Sequence, residues 1–245
     1  MFTGLIETTG EVISFTPTAG AARLTIAAPG IVERLRLGDS VAVCGVCLTA
    51  LHLEPGAVPP RFSADLAEET IARTTLSRLA AGSLVNLELP TAAGSPLGGH
   101  VVQGHVDGTG TLLAIEPVAS GNQSELAQSG WTSANSARMD MSQIDAAQTD
   151  WVLRLRLPEP LMRYVVLKGS IAVEGISLTV AGIEGHEIWI AILPHTYSAT
   201  NLHTLKPGSS VNIEVDVLAK YAEARAQSDA SKRELTVEAL LANGY

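Results

Sequence analysis

The chain has 245 residues, 46% hydrophobic and 17% charged, with a formal net charge of −9. That length suits two small domains better than one. The acidity argues against nucleic acid or an anionic lipid surface as partner, since no Lys/Arg cluster offsets it, and no apolar run approaches the ~20 residues that span a bilayer. The start, "MFTGLIETTG", has neither a basic nor an apolar leader region, so no secretory signal is expected. Only two cysteines occur, Cys44 and Cys47, too close together to staple a fold, and a reducing cytoplasm is the simplest compartment.

In chain order, the first half reads as short strands. "RLTIAAP" (23–29), "SVAVCGVCLTALHL" (40–53) and "LVNLELP" (84–90) alternate or run apolar over strand lengths. Gly38-Asp39, Pro55-Gly56 and Gly82-Ser83 punctuate them as turns. Residues 118–150 are rich in Ser, Ala, Gln, Asn and Asp, which reads as a solvated loop; Trp131 and two methionines within it suggest a lid or partner segment as the sharper alternative. Strands resume with "WVLRLRLP" (151–158), "SIAVEGISLTVAGI" (170–183), "HEIWIAILP" (186–194) and "SVNIEVD" (210–216), with Pro207-Gly208 as a turn. After Asp216 the pattern changes: Val217, Leu218, Tyr221 and Ala224 recur at helical spacing. That helix must bury its stripe on its own barrel or on another copy of the chain.

The chain repeats itself. "VAVCGVCLTA" (41–50) matches "IAVEGISLTV" (171–180), "TGLIETTGEV" (3–12) resembles "QGHVDGTGTL" (103–112), and residues 68–89 resemble 194–215 in the same order. Gly4 pairs with Gly104, whereas Gly45 pairs with Gly175, so the second copy carries about thirty extra residues, an insertion at 118–150. Short strands in both copies predict an all-β protein of two small closed antiparallel barrels and a C-terminal helix. The expected units are 1–96, 97–216 and a helical segment 217–245.

Few residues can do chemistry. Cys44 and Cys47 form C-x-x-C, and His100 and His105 form H-x4-H, the ligand types of a zinc site. The pairs lie far apart in sequence, thiols three apart on a strand face opposite ways unless Gly45 breaks it, and the second copy carries Glu174 and Ser177 instead; we expect no metal. A thioredoxin-like pair would need a βαβ setting that the surrounding strands do not supply. The duplication offers a better account. Cys47 and Thr49 share one strand face, as do Ser177 and Thr179, so the two barrels would present similar pockets with different polar groups. "GGHVVQGHVDGTG" adds histidines for proton transfer, at most one of His100 and His105 facing a given pocket, and Lys168 lies near the Ser177 strand. Each has a plain alternative: packing for Cys47, solvation for the histidines and the lysine.

"MFTGLIE", "GVCLTA", "GGHVVQGHVDGTG", "KGSIAVEGISLTV" and "VNIEVDVLAKY" together resemble the alpha-chain riboflavin synthase family over nearly the whole chain outside 118–150. The resemblance implies two six-stranded antiparallel Greek-key barrels, each binding a lumazine, and a C-terminal helix that assembles a homotrimer with active sites between subunits. The resemblance also leaves a lumazine synthase capsid open as a further partner. The implied reaction is a dismutation: two molecules of 6,7-dimethyl-8-ribityllumazine exchange a four-carbon unit, giving riboflavin and 5-amino-6-(ribitylamino)uracil, with no cofactor. The competing class is a lumazine protein that only holds its ligand; retention of Cys47, His100, His105, Ser177 and Thr179 favours the enzyme.

Carried over from the family, one pocket takes Gly4, Leu5 and Ile6 with Cys47, Leu48 and Thr49 and with Asp65, Leu66, Ala67, Glu68, Glu69 and Thr70. The other takes Gly104, His105 and Val106 with Ser177, Leu178 and Thr179 and with Leu193, Pro194, His195, Thr196 and Tyr197. Lys168 is expected to reach in from a neighbouring chain. His105 is the expected proton carrier and Cys47 the nucleophile or polar partner, with Phe2 and Thr3 closing the site and Ser40, His100 and Asp216 supporting it. Cys44 departs from the asparagine that the family more often has, and the insertion at 118–150 is unusual.

Overall fold

The computed structural model describes residues 1–18, 21–118, 145 and 149–233. The expected insertion therefore lies almost entirely outside the described residues, as do Trp131 and the last twelve positions.

Seven strands build the first half: β1 (Thr8–Thr18), β2 (Ala21–Ala27), β3 (Ser40–Val43), β4 (Val46–Thr49), β5 (Leu51–Glu54), β6 (Arg61–Ala67) and β7 (Leu84–Glu88). They form one antiparallel sheet in the order β4-β3-β7-β1-β2-β6-β5. Only Ala50 separates β4 from β5, so the two ends of the sheet are consecutive pieces of one interrupted strand. Just past the break, His52 within β5 is held at φ 45, a conformation that a regular ladder does not admit, and the pairing with β6 is irregular between Leu51 and Glu54. The second half comprises β8 (Gly108–Pro117), β9 (Trp151–Arg156), β10 (Ser170–Val173), β11 (Ile176–Glu184), β12 (Glu187–Ile192) and β13 (Ser210–Val215). These close into a barrel ordered β10-β11-β12-β9-β8-β13. Here β11 runs unbroken past the corresponding point, with only a register shift between Val180 and Gly182. The all-β expectation of two barrel-like halves thus holds, the second a closed barrel and the first a seven-stranded barrel-like sheet whose end strands β4 and β5 follow one another in the chain.

Two details differ from the sequence reading. The stretches 40–53 and 170–183 are not single strands. Each folds back as a two-residue hairpin, at Cys44-Gly45 (φ 46 and 78) and Glu174-Gly175 (φ 50 and 80). Positive φ at both central positions is the type I′ turn that matches strand twist. The strand β6, "RFSADLA", was not read from the sequence: flanked by Pro59, Pro60 and Glu68, it lacks the β-branched residues that mark a strand.

Alternation along each strand fills two cores. Val46, Leu48 and Ala50 join Leu24, Ile26, Phe62 and Leu87 inside the first barrel. Ile176, Leu178 and Val180 join Leu153, Leu155 and Ile190 inside the second. A third cluster, Phe2, Ala42, Val102 and Ala172 with Cys47 packed against it, lies between the barrels. Short helices follow β6 and β12: α1 (Glu68–Arg73), then α2 (Glu159–Met162) after β9, and α3 (Pro194–Ala199). The chain continues into α4 (Val217–Arg233). Among the described residues no helix is long and apolar enough to cross a membrane.

Candidate active site

The two barrels meet around a pseudo-twofold axis. At its centre the hairpin turns touch backbone to backbone: a Cβ on Gly45 would lie 2.7 Å from the Gly175 nitrogen, and one on Gly175 would lie 2.6 Å from the Gly45 nitrogen. Only glycine fits, for contact and for φ alike. Matching asparagines bind each turn from the opposite barrel. Asn86 Nδ2 donates to the Glu174 carbonyl (2.9 Å), and Asn212 Nδ2 donates to the Cys44 carbonyl (3.0 Å). The network is fully buried, so its satisfied hydrogen bonds fix the relative placement of the barrels.

Glu174 is buried in this network. Its carboxylate accepts from the Asn212 amide (2.7 Å) and from Asn201 Nδ2 (3.1 Å). Burial nevertheless outweighs those bonds and raises its proton affinity above the ordinary carboxylate range. Cys44, its counterpart, is also buried, and desolvation followed by the nearby Glu174 charge raises its thiol well above the usual value. A neutral thiol facing an acid avoids the repulsion that two acids would suffer there. Cys44 therefore belongs to the inter-barrel network, whereas Cys47 lies on the outer wall of β4. Gly45 does break the strand, yet the thiols serve different surroundings.

The arms that precede each barrel cross over. Phe2 and Val102 form an antiparallel bridge (Phe2 N to Val102 O, 2.8 Å; Val102 N to Phe2 O, 3.1 Å). The Ser177 amide donates to the Gly4 carbonyl, and the Cys47 amide to the Gly104 carbonyl, both at 2.8 Å. A Cβ on Gly4 (φ 74) would stand 2.6 Å from Ser177 Cβ, and one on Gly104 (φ 81) 2.6 Å from Cys47 Cβ. Ile6 packs on the second core and Val106 on the first. This corrects the expected grouping: Gly4, Leu5 and Ile6 lie with Ser177, Leu178 and Thr179, while Gly104, His105 and Val106 lie with Cys47, Leu48 and Thr49. The duplication aligns positions but says nothing about which copy an arm packs against.

A buried carboxylate clasps each arm. Glu88 accepts from Thr3 N (2.6 Å), Thr3 Oγ1 (2.8 Å) and Gly4 N (3.0 Å). Glu214 accepts from Gln103 N (2.7 Å), Gly104 N (3.0 Å) and His105 N (3.1 Å). In both, burial dominates and raises the carboxyl pKa. The sequence reading did not single out these glutamates or the asparagines. The repeated "VNLE" and "VNIE" carried the signal, because polar residues kept at strand-interior positions in both copies need a common purpose.

On the outer wall, Cys47 and Ser177 are half-buried, while Thr49 and Thr179 are exposed. Ser40 pairs with Thr49 across the β3–β4 hairpin. Leu48, Leu178 and Leu66 point into the cores, so only their backbone can face a ligand. A cavity of about 440 Å³ lies on the outer wall of the second barrel, lined by Lys168, Thr179, Ala181, Ala191, Leu193, Trp151, Val118 and Asp150 among others. Its volume lies within the range of small-molecule sites. Trp151, missed from the sequence, stacks on Tyr197 at 3.9 Å and 11° behind that wall. Pro194, His195 and Thr196 share helix α3 with Tyr197. On the first barrel, Asp65 pairs with Arg23 at 2.7 Å, whose guanidinium lowers its carboxyl pKa. Ala67 precedes α1, where Glu68, Glu69 and Thr70 form the first turn and Glu69 pairs with Arg73.

His100 and His105 separate, but not by strand alternation: the segment that carries them precedes β8, which starts at Gly108. His105 is exposed on the arm beside Cys47. His100 is buried, its Nδ1 2.7 Å from Ser177 Oγ. Burial depresses its pKa, and the charge of Asp216 opposes this weakly. Asp216 itself caps α4 by accepting from the Leu218 amide at 2.9 Å.

Comparison with known proteins agrees with the doubled architecture. The lumazine binding domain model matches residues 3–90 and again 103–216. Riboflavin synthase of Mycobacterium tuberculosis is 41% identical over 226 residues, 91% of this chain and 96% of that protein. The Actinobacillus pleuropneumoniae riboflavin synthase is 36% identical over 248 residues, the whole of both chains. Among solved structures, LumP complexed with riboflavin has the same fold, with a TM-score of 0.70 at 23% identity, covering 88% of this chain and 99% of that one. With two lumazine binding domains and full-length relatives at this identity, the chain belongs to the riboflavin synthase family.

Proposed function

We propose that the chain joins two molecules of 6,7-dimethyl-8-ribityllumazine and converts them to riboflavin and 5-amino-6-(ribitylamino)uracil. The observation that carries this reading is the crossed pair of walls. Each barrel offers a half-buried polar group, Cys47 or Ser177, under a glycine arm that arrives from the other barrel. Two chemically identical substrates thereby meet walls of one shape and unlike chemistry.

The reaction moves four carbons from one lumazine to the other, and its atoms balance without oxidant or added water. One molecule loses a proton from its C7 methyl group to become the nucleophile; the other is activated at C7 by an added nucleophile. Holding the rings face to face supplies much of the rate. His105, exposed on the arm beside Cys47, is the proton carrier in this scheme, and Cys47 the nucleophile or polar partner at C7. Lys168 lines the cavity on the second barrel together with Thr179.

The two walls must be brought mouth to mouth by association of chains. Leu218 and Tyr221, 65% and 66% exposed on one face of α4, support a homotrimer built through that helix.

Incubation with dimethyl-ribityllumazine should yield riboflavin, followed by its absorbance and fluorescence. Cys47→Ser should slow turnover by about tenfold or more while leaving ligand affinity nearly unchanged. Equal loss of both would assign Cys47 to packing, and tight binding without riboflavin would identify a carrier of the lumazine-protein kind.

A further inference from the structure

The two walls differ in what stands behind the polar group. Behind Cys47 lies Phe2, an apolar neighbour in the inter-barrel cluster. Behind Ser177 lies His100, brought there because Gly98 and Gly99 let that segment pass close over the first arm, where the His100 amide donates to the Thr3 carbonyl at 3.2 Å. His100 is only 8% exposed. Among the described residues, the Ser177 hydroxyl has one hydrogen-bond partner, His100 Nδ1 at 2.7 Å. The other ring nitrogen, Nε2, is buried with no partner among the described residues.

That orphan atom decides the direction of the bond. Burial keeps the imidazole neutral, so the ring carries one N–H. If the hydrogen were on Nε2, a buried donor would be left unmade. If it is on Nδ1, only a lone pair goes unpaired, and buried orphan donors are the rarer and costlier of the two. We infer that His100 donates from Nδ1 to Ser177 Oγ and so commits the serine hydroxyl as a hydrogen-bond donor to an acceptor atom of the ring bound against the second barrel. This rests on the proposed lumazine chemistry. A pteridine ring presents carbonyl oxygens and ring nitrogens that such a hydroxyl can address. Among the described residues Cys47 has no comparable support, so a fixed neutral donor is confined to one of the two walls. His100 is thus a positioning residue acting through Ser177, and the unlike postures of the two substrates trace in part to it.

The ¹⁵N shifts of the His100 ring in the full-length protein read the tautomer directly. Protonated Nδ1 with an unprotonated Nε2 is expected, and the reverse overturns the inference. Variants read the consequence. An amide at this position can still donate to Ser177, whereas a carboxylate can only accept and would turn the hydroxyl away from the ligand. His100→Asn should therefore keep kcat about tenfold above His100→Asp, the scale of one hydrogen bond. In a Ser177→Ala background the two should become equal. Equal loss in the native background, or a difference that persists without the serine, would show that His100 acts by packing alone. Failure of the unaltered protein to form riboflavin would sink the enzymatic reading while leaving the ring-tautomer result to stand or fall separately.

Discussion

Lys168 occupies φ 63, where the first copy has Gly38 at φ 91. The backbone role is shared: Gly38 N donates to Ala50 O at 2.9 Å, and Lys168 N donates to Val180 O at 2.8 Å. A lysine in left-handed conformation costs about 1–2 kcal/mol, which a glycine avoids at some cost in chain entropy. Such strain, beside a cavity, points to a side chain kept for use. Lys168→Gly should hold or raise stability by up to about 1 kcal/mol in chemical denaturation, yet slow riboflavin formation. Lower stability with turnover untouched would make the lysine a packing residue. At this scale the sequence displayed which residues share each outer wall. Cys47, Thr49, Ser177 and Thr179 followed from strand alternation, whereas the His100–Ser177 bond joins positions 77 apart, and no periodicity encodes that.

The hairpin is the element on which the site is built. "CG" and "EG" read as strand interior because the flanking valines and isoleucines dominate the pattern, and neither dipeptide is the usual Asn-Gly signal. Their tight turn brings the two barrels into backbone contact and places Cys47 and Ser177 next to the crossing arms. Gly45→Ala combines left-handed strain with a clash against Gly175, and should lower stability by about 2–5 kcal/mol. Gly30→Ala shares the strain (φ 84) but meets nothing within 4 Å, and should cost only about 1–2 kcal/mol. Equal costs in urea titrations would mean that the turn-to-turn contact does not hold the barrels together.

For the whole molecule, the main question is association. Val217 is buried against the protomer, and Asp107 anchors α4 by pairing with Lys220 at 2.6 Å, so the helix is held in place with Leu218 and Tyr221 turned outward. Replacing both with glutamate should give monomers by sedimentation, unfolding at nearly the native temperature, with turnover lower by tenfold or more, since neither wall then meets a partner. A monomer of full activity would refute the shared site.

Duplication, the all-β architecture and the polar pair on each outer wall were determined by the sequence alone, because they rest on local periodicity and self-similarity; the expected stripe of α4 splits instead, with Val217 buried on the protomer and Leu218 and Tyr221 turned outward. Which arm serves which wall, which histidine meets the serine, and how buried glutamates and asparagines bind the halves were decided only by the tertiary structure. These are contacts across a pseudo-symmetric interface, where two equivalent pairings share one sequence pattern, and only packing distinguishes them: arms crossed through Phe2 and Val102, glycines pressed against Cys47 and Ser177.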